Sequence, residues 1–138
     1  MPRPAKPLPA PKISDAEWTV MKVLWDKGAS TVAEVVKELE GRLHWKPRTV
    51  QSLMRRLVEK GALISESQGR DFRYRPAFTQ DECQLDEGRT FLQRVFQGRL
   101  TPFVAAMVDQ QEVSKDELRE LRALLDEAEK KINNRKRS

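Results

Sequence analysis

Helical periodicity interrupted once by a short stretch of period two predicts a mainly α chain with a small two- or three-stranded β wing. Three observations carry that expectation. Four Ser/Thr-x-x-Glu segments, at Ser14 with Glu17, Thr31 with Glu34, Thr79 with Glu82 and Ser114 with Glu117, have the form of capping boxes. In such a box the hydroxyl and the carboxylate satisfy backbone N–H groups left free at a helix start. Pro47 and Gly61 bracket a further amphipathic stretch. A proline loses nothing in a first helical turn, and a glycine reaches the left-handed conformation that ends a helix. Only after Gly61 does the spacing become alternating, in ALISESQGRDFRYRP.

The elements follow in order. The first helix, opening at Ser14, presents Trp18, Met21, Leu24 and Trp25 on one face and stops near Gly28; the second carries Val32, Val35, Val36 and Leu39 and stops near Gly41. In the third, Val50, Leu53, Met54 and Leu57 fall within about 100° of one another on a helical wheel. Two short runs then flank Ser67, Gln68 and Gly69, with Phe72 and Tyr74 alternating against Asp71, Arg73 and Arg75, which reads as a hairpin. Three helices and a hairpin make the order of a winged helix-turn-helix. Beyond Pro76 the period is helical again. Leu85, Phe91, Leu92, Val95 and Phe96 line one helix up to about Gly98, Pro102 opens a short one with Phe103, Val104 and Met107, and Leu118, Leu121, Leu124, Leu125 and Ile132 line the last.

This divides the chain into a disordered Pro-rich tail over 1–12, a winged helix over 13–78 and a helical part over 79–138. The tail, MPRPAKPLPAPK, holds five of the eight prolines and no apolar run, so it is neither a signal peptide nor a structured element. A part of 60 residues with wide apolar stripes makes a poor monomer and a plausible dimerisation part. Leu85, Phe91, Leu92, Val95, Phe96, Phe103, Met107, Leu118, Leu121 and Leu125 are the residues expected to join two copies.

Charge separates the same two parts. Residues 1–78 hold 15 basic and 9 acidic side chains, a net +6, whereas residues 79–138 hold 11 and 12, a net −1. Such asymmetry points to a polyanion as partner of the first part, nucleic acid more often than membrane. Within it, residues 42–75 carry nine basic and three acidic side chains. On the third helix Arg48, Gln51, Ser52 and Arg55 lie opposite the apolar face, with Thr49 and Arg56 on its shoulders and one acid, Glu59, near the C-terminal end. A solvated face selected only for solubility would carry more Glu. This mixture suits a major groove, where Arg pairs with guanine, Gln with adenine, and a Thr methyl sits against thymine. Because the start of a helix in this geometry reaches the base edges, Arg48, Thr49, Gln51 and Ser52 are expected to read bases. Lys46, Arg55, Arg56, Arg70, Arg73 and Arg75 are expected on the sugar-phosphate backbone.

Other chemistries find little support. A single cysteine, Cys83, allows no intramolecular disulfide framework and no multi-cysteine metal site, and fits a reducing cytoplasm. The one histidine, His44, and Cys83 form no nucleophile and base pair, and neither a phosphate loop nor an HExxH motif is present. An enzyme, a cofactor and a metal site are therefore not expected. No apolar stretch approaches the roughly 20 residues that span a bilayer, so no membrane insertion is expected either. A different class of function, a winged helix used as a protein interaction module for an acidic partner, shares the same basic face.

The segments ISDAEWTVMKVLW, WKPRTVQSLMRRLVEKGAL and GRDFRYRP, in this order and spacing, resemble the BlaI/MecI/CopY family of bacterial transcriptional repressors over roughly residues 13–135. The resemblance implies a homodimer that covers a dyad-symmetric operator, with the third helix in the major groove and Arg48, Thr49 and Ser52 at its base-contacting positions. It puts the wing around Arg70 along the DNA backbone. CopY-type members release DNA through paired Cys-x-Cys motifs, which this chain lacks. BlaI- and MecI-type members are cut by a membrane-bound sensor protease between an Asn and a Phe in the dimerisation part. Here the equivalent bond joins Ala106 and Met107, without the Asn.

Overall fold

The computed structural model describes residues 10–137. These run as α1 (Asp15–Lys27), α2 (Val32–Leu39), α3 (Pro47–Glu59), β1 (Leu63–Gln68), β2 (Asp71–Pro76), α4 (Gln80–Phe96), α5 (Leu100–Asp109) and α6 (Lys115–Arg137). Each of the four expected capping hydroxyls receives a backbone N–H, at 3.2 Å on Ser14, 3.2 Å on Thr31, 3.1 Å on Thr79 and 3.1 Å on Ser114. The mainly α class with a small wing is what the chain adopts.

The chain divides into two compact units after Thr90, where composition had placed the break after residue 78. The physical reason is Cys83: it lies on α4, yet it is 3% exposed and belongs to the core that Val20, Met21, Leu24, Val35, Met54, Leu57 and Leu63 build in the first unit. Burying each such large side chain stabilises the fold by about 1.5–3 kcal/mol. Of the expected tail, residues 1–9 lie outside the described residues. At its end Ala10 packs against the first core and donates its N–H to the Asp86 carboxylate.

The apolar face of α1 is broader than the sequence pattern suggested. Val20 and Val23 are buried, whereas Trp18 and Trp25 are half-buried and meet edge to face with centroids 5.4 Å apart. The Trp25 indole N–H donates to the Phe78 carbonyl at 3.0 Å. Glu17 is buried as well, at 1% exposure. Its carboxylate accepts from the Ser14 N–H at 2.9 Å and from Lys60 Nζ at 2.5 Å, and Lys60 also donates to the Lys12 carbonyl at 3.0 Å. Burial pushes the carboxyl up, but the Lys60 hydrogen bond, the Ser14 N–H and hydroxyl, and the Lys60 charge together outweigh it and hold Glu17 below its ordinary value.

The two strands pair antiparallel from Leu63 with Pro76 to Gln68 with Asp71. Ser67 and Gln68, expected in the turn, are thus the end of β1, and the turn is Gly69 and Arg70 alone, with Gly69 at φ +64°. A third strand is reduced to one bridge, Ser30 with Tyr74.

In the second unit Phe91, Phe96 and Phe103 cluster, with centroids 5.5 to 6.0 Å apart. Pro102 lies in the third helical position of α5 rather than the first. The first four N–H groups of a helix have no partner within it, so the proline loses no hydrogen bond there. Among the described residues from 91 to 137 none is buried. No described helix is long and apolar enough to cross a membrane.

Candidate nucleic-acid interface

α3 is held by its inner face. Val50, Leu53, Met54 and Leu57, the four residues on the apolar side of the wheel, are all buried, and the helix packs on α1 and α2. Its end is fixed by a Schellman motif: the Ala62 N–H donates to the Leu57 carbonyl at 2.9 Å and the Gly61 N–H to Val58 at 3.0 Å, with Gly61 at φ +84°. The side facing away from the core then carries Arg48, Thr49, Gln51, Arg55 and Arg56, all exposed, with Ser52 half-buried and one exposed acid, Glu59, at the C-terminal end.

The start of α3 differs from those of α1, α2, α4 and α6. Lys46 is its N-cap and makes no side-chain cap bond, Pro47 has no N–H, and the first turn contains no acid. The positive end of the helix dipole therefore meets neither a side-chain cap nor a first-turn acid of its own helix. His44 is exposed just before it.

The fold sorts the nine basic side chains of residues 42–75 into two groups. Four are taken by acids: Arg42 by Glu38 at 3.1 Å, Lys60 by Glu17 at 2.5 Å, Arg73 by Glu34 at 3.3 Å and Arg75 by Glu66 at 2.8 Å. The other five, Lys46, Arg48, Arg55, Arg56 and Arg70, have no acidic partner among the described residues. Four of these lie on or beside α3 and the fifth at the wing turn. Sequence reasoning gave the wing three cations; Arg70 is the one with no acidic partner among the described residues. Glu34, Ala29 and Ser30, which touch β2, were missed. The Thr31 capping box had flagged Glu34, though only as a cap.

The remaining expected sites divide similarly. Leu85, Val95, Leu118 and Leu125 are exposed at 55%, 47%, 37% and 62%, while Phe91, Leu92, Phe96, Phe103, Met107 and Leu121 are half-buried. Ala106 is exposed, and the Ala106–Met107 bond lies in the last turns of α5. There the Glu112 N–H donates to the Met107 carbonyl at 3.0 Å and the Gln111 N–H to Val108 at 3.0 Å, with Gln111 in the left-handed region at φ +58°. Among the described residues no three His, Cys, Asp or Glu side chains converge as a metal site would need.

Known proteins align with most of this chain. The family model described as Penicillinase repressor matches residues 13–127. The penicillinase repressor of Bacillus licheniformis is 37% identical over 117 residues, covering 85% of this chain and 91% of that protein. The methicillin resistance regulatory protein MecI of Staphylococcus aureus is 28% identical over 114 residues, covering 83% and 93%. Among solved structures, the Bacillus licheniformis BlaI monomeric form in complex with the blaP half-operator is 42% identical, covers 54% of this chain and 90% of that one, and superposes with a TM-score of 0.48.

Proposed function

This chain belongs to the penicillinase repressor family, a family of transcriptional repressors and not of enzymes, and from that premise we propose that it acts as a homodimer covering a dyad-symmetric operator. Arg48, Thr49, Gln51 and Ser52 read base edges in the major groove. Lys46, Arg55, Arg56 and Arg70 neutralise phosphates; Arg73 and Arg75, expected beside them, are already held, Arg73 by Ala29 and Glu34 and Arg75 by Glu66. The observation that carries the reading is the outer side of α3. It pairs exposed Arg, Thr and Gln with an uncapped helix start, and its cations have no acidic partner among the described residues. An interaction module for an acidic protein would use the charges without the Thr and Gln that suit base edges.

Dimerisation belongs to the second unit in this proposal, because Val95, Leu100, Leu118, Leu124, Leu125 and Ile132 remain exposed there. Induction is by one cut in α5, at or near Ala106–Met107, made by a sensor protease. A cut there parts α4 from α6 without touching a DNA-reading residue. Working on the chromosome places the repressor in the cytoplasm.

Binding to a duplex from the region upstream of its own gene, compared with a random duplex at moderate salt, tests the reading. A repressor prefers the former by about 10³-fold or more. Equal affinities would remove sequence-specific repression and leave the acidic-partner reading.

A further inference from the structure

We propose that Arg73 is a positioning residue: it locks the wing to the start of α2, and through α2 to the reading helix α3, instead of contacting phosphate. The proposal rests on the DNA-binding reading above. Three observations support it. Arg73 donates from Nη1 to the Ala29 carbonyl at 3.1 Å, while its Nη2 lies 3.3 Å from the Glu34 carboxylate. Both ends of the guanidinium fork are thus used on the α1–α2 turn and the first turn of α2.

The residue next to it makes the one-residue third strand. The Ser30 N–H donates to the Tyr74 carbonyl at 3.0 Å, the Tyr74 N–H returns to the Ser30 carbonyl at 2.9 Å, and Ser30 is 1% exposed. The bridge and the buried Leu63 hold the hairpin at its base. Arg73, one residue nearer the turn, adds two contacts that hold β2 to the α1–α2 turn and the first turn of α2.

Glu34 supplies the third observation. In the Ser14 and Thr79 boxes the carboxylate bonds back to the N-cap N–H, at 2.9 Å from Glu17 and 3.4 Å from Glu82. In the Thr31 box the hydroxyl receives the Glu34 N–H at 3.2 Å, but the Glu34 carboxylate is turned to Arg73. The Ser114 box also shows no return bond among the described residues, so the open half is not peculiar to Thr31; what is peculiar is that the Glu34 carboxylate sits on the wing's Arg73. Were Arg73 to leave for a phosphate, it would abandon Glu34 as an unpaired anion at the DNA surface, and repulsion would cancel much of the gain.

The test uses the full chain and its Arg73→Ala, Glu34→Gln and double variants, titrated over a range of salt with the upstream duplex and a random duplex. Amide hydrogen exchange at Tyr74 is followed without DNA. Neither side chain belongs to the core, so the thermal midpoint should hardly move. The lock predicts that each single variant weakens binding by about two- to tenfold, the range that a half-exposed pair and its hydrogen bond can supply. Both should share one salt slope, the double variant should be no worse than either, and the Tyr74 amide should exchange faster in all three. A phosphate contact predicts otherwise. Arg73→Ala alone would then flatten the log–log salt slope by about 0.9, and Glu34→Gln would leave binding unchanged or tighter. That pattern overturns the proposal, as does an unchanged Tyr74 exchange rate in Arg73→Ala. If the wild-type chain shows no preference for the upstream duplex, the repressor reading fails, and the exchange rates still decide for or against the lock.

Discussion

At Glu17 a carboxylate is 1% exposed and has Lys60 as its cation, so removing that ammonium leaves a buried acceptor without its strongest donor. The Ser14 N–H still donates to the same oxygen, so the loss is a part of the about 1–3 kcal/mol that a fully orphaned buried polar group costs. Lys60 is 37% exposed, and solvent screening places the loss toward the lower end of that range. Lys60→Met is therefore expected to lower the urea midpoint without changing the m-value. The pH dependence has a definite sign. Glu17 titrates below its ordinary value of 4.5, so its contribution is present above that value and is lost as pH falls through the lower folded-state value. Glu17→Gln should flatten this acid limb of a stability-against-pH curve. Arg48, exposed and without an acidic partner among the described residues, makes a complementary case. Arg48→Ala is expected to cost about 1–3 kcal/mol on the operator and little on random DNA. Equal losses on both duplexes, measured by fluorescence anisotropy at one salt concentration, would take Arg48 out of base readout.

Among the elements, helix starts were legible and some ends were not. A capping box is a signal contained in four residues, so Ser14, Thr31, Thr79 and Ser114 marked α1, α2, α4 and α6 with no knowledge of the fold. The turn at Gly69 and Arg70 was misplaced, because Ser67 and Gln68 suit a turn or an exposed strand equally and cross-strand pairing decides between them. α5 is the least well-terminated helix: Arg99 makes no cap bond at its start and Gln111 holds a left-handed φ of +58° at its end. An L side chain pays about 1–2 kcal/mol in that conformation. Gln111→Gly should accordingly stabilise the second unit by about 1 kcal/mol, read as slower amide exchange through α5; slower exchange there should also make the proposed cut slower.

For the whole molecule the outstanding fact is that no described residue from 91 to 137 is buried, although Phe91, Phe96 and Phe103 cluster with one another. Apolar side chains left exposed at this density suit the second copy that the proposed function requires. Full-length protein is expected to sediment as a dimer at micromolar concentration. A 1–90 fragment, which keeps Cys83 and hence the first core entire, should sediment as a monomer. A dimeric 1–90 fragment would put the interface in the wrong unit. Linking two readers raises operator affinity by about 10²–10⁴ with no new contact. An engineered protease site at Ala106 should therefore yield monomers whose operator affinity has dropped by a similar factor, with nonspecific binding of each monomer retained. Cleavage that leaves the dimer and its affinity intact would dispose of induction by proteolysis.

The sequence by itself determined the class, the order of elements and the two sides of α3. All of these follow from spacings within a few turns, and a helix that buries Val50, Leu53, Met54 and Leu57 has only one other side to offer. The resemblance carried by three segments added a family, which the match over residues 13–127 bears out. Only the tertiary structure decided which charges are available. Lys60 meets Glu17 across 43 residues of chain and Arg73 meets Ala29 across 44, and no local pattern records either encounter. A count of basic residues treats Lys60, Arg70 and Arg73 alike. Folding fixes Lys60 to a buried carboxylate and Arg73 to the start of α2, and leaves Arg70 facing solvent, because ion pairing depends on distance in space and not along the chain.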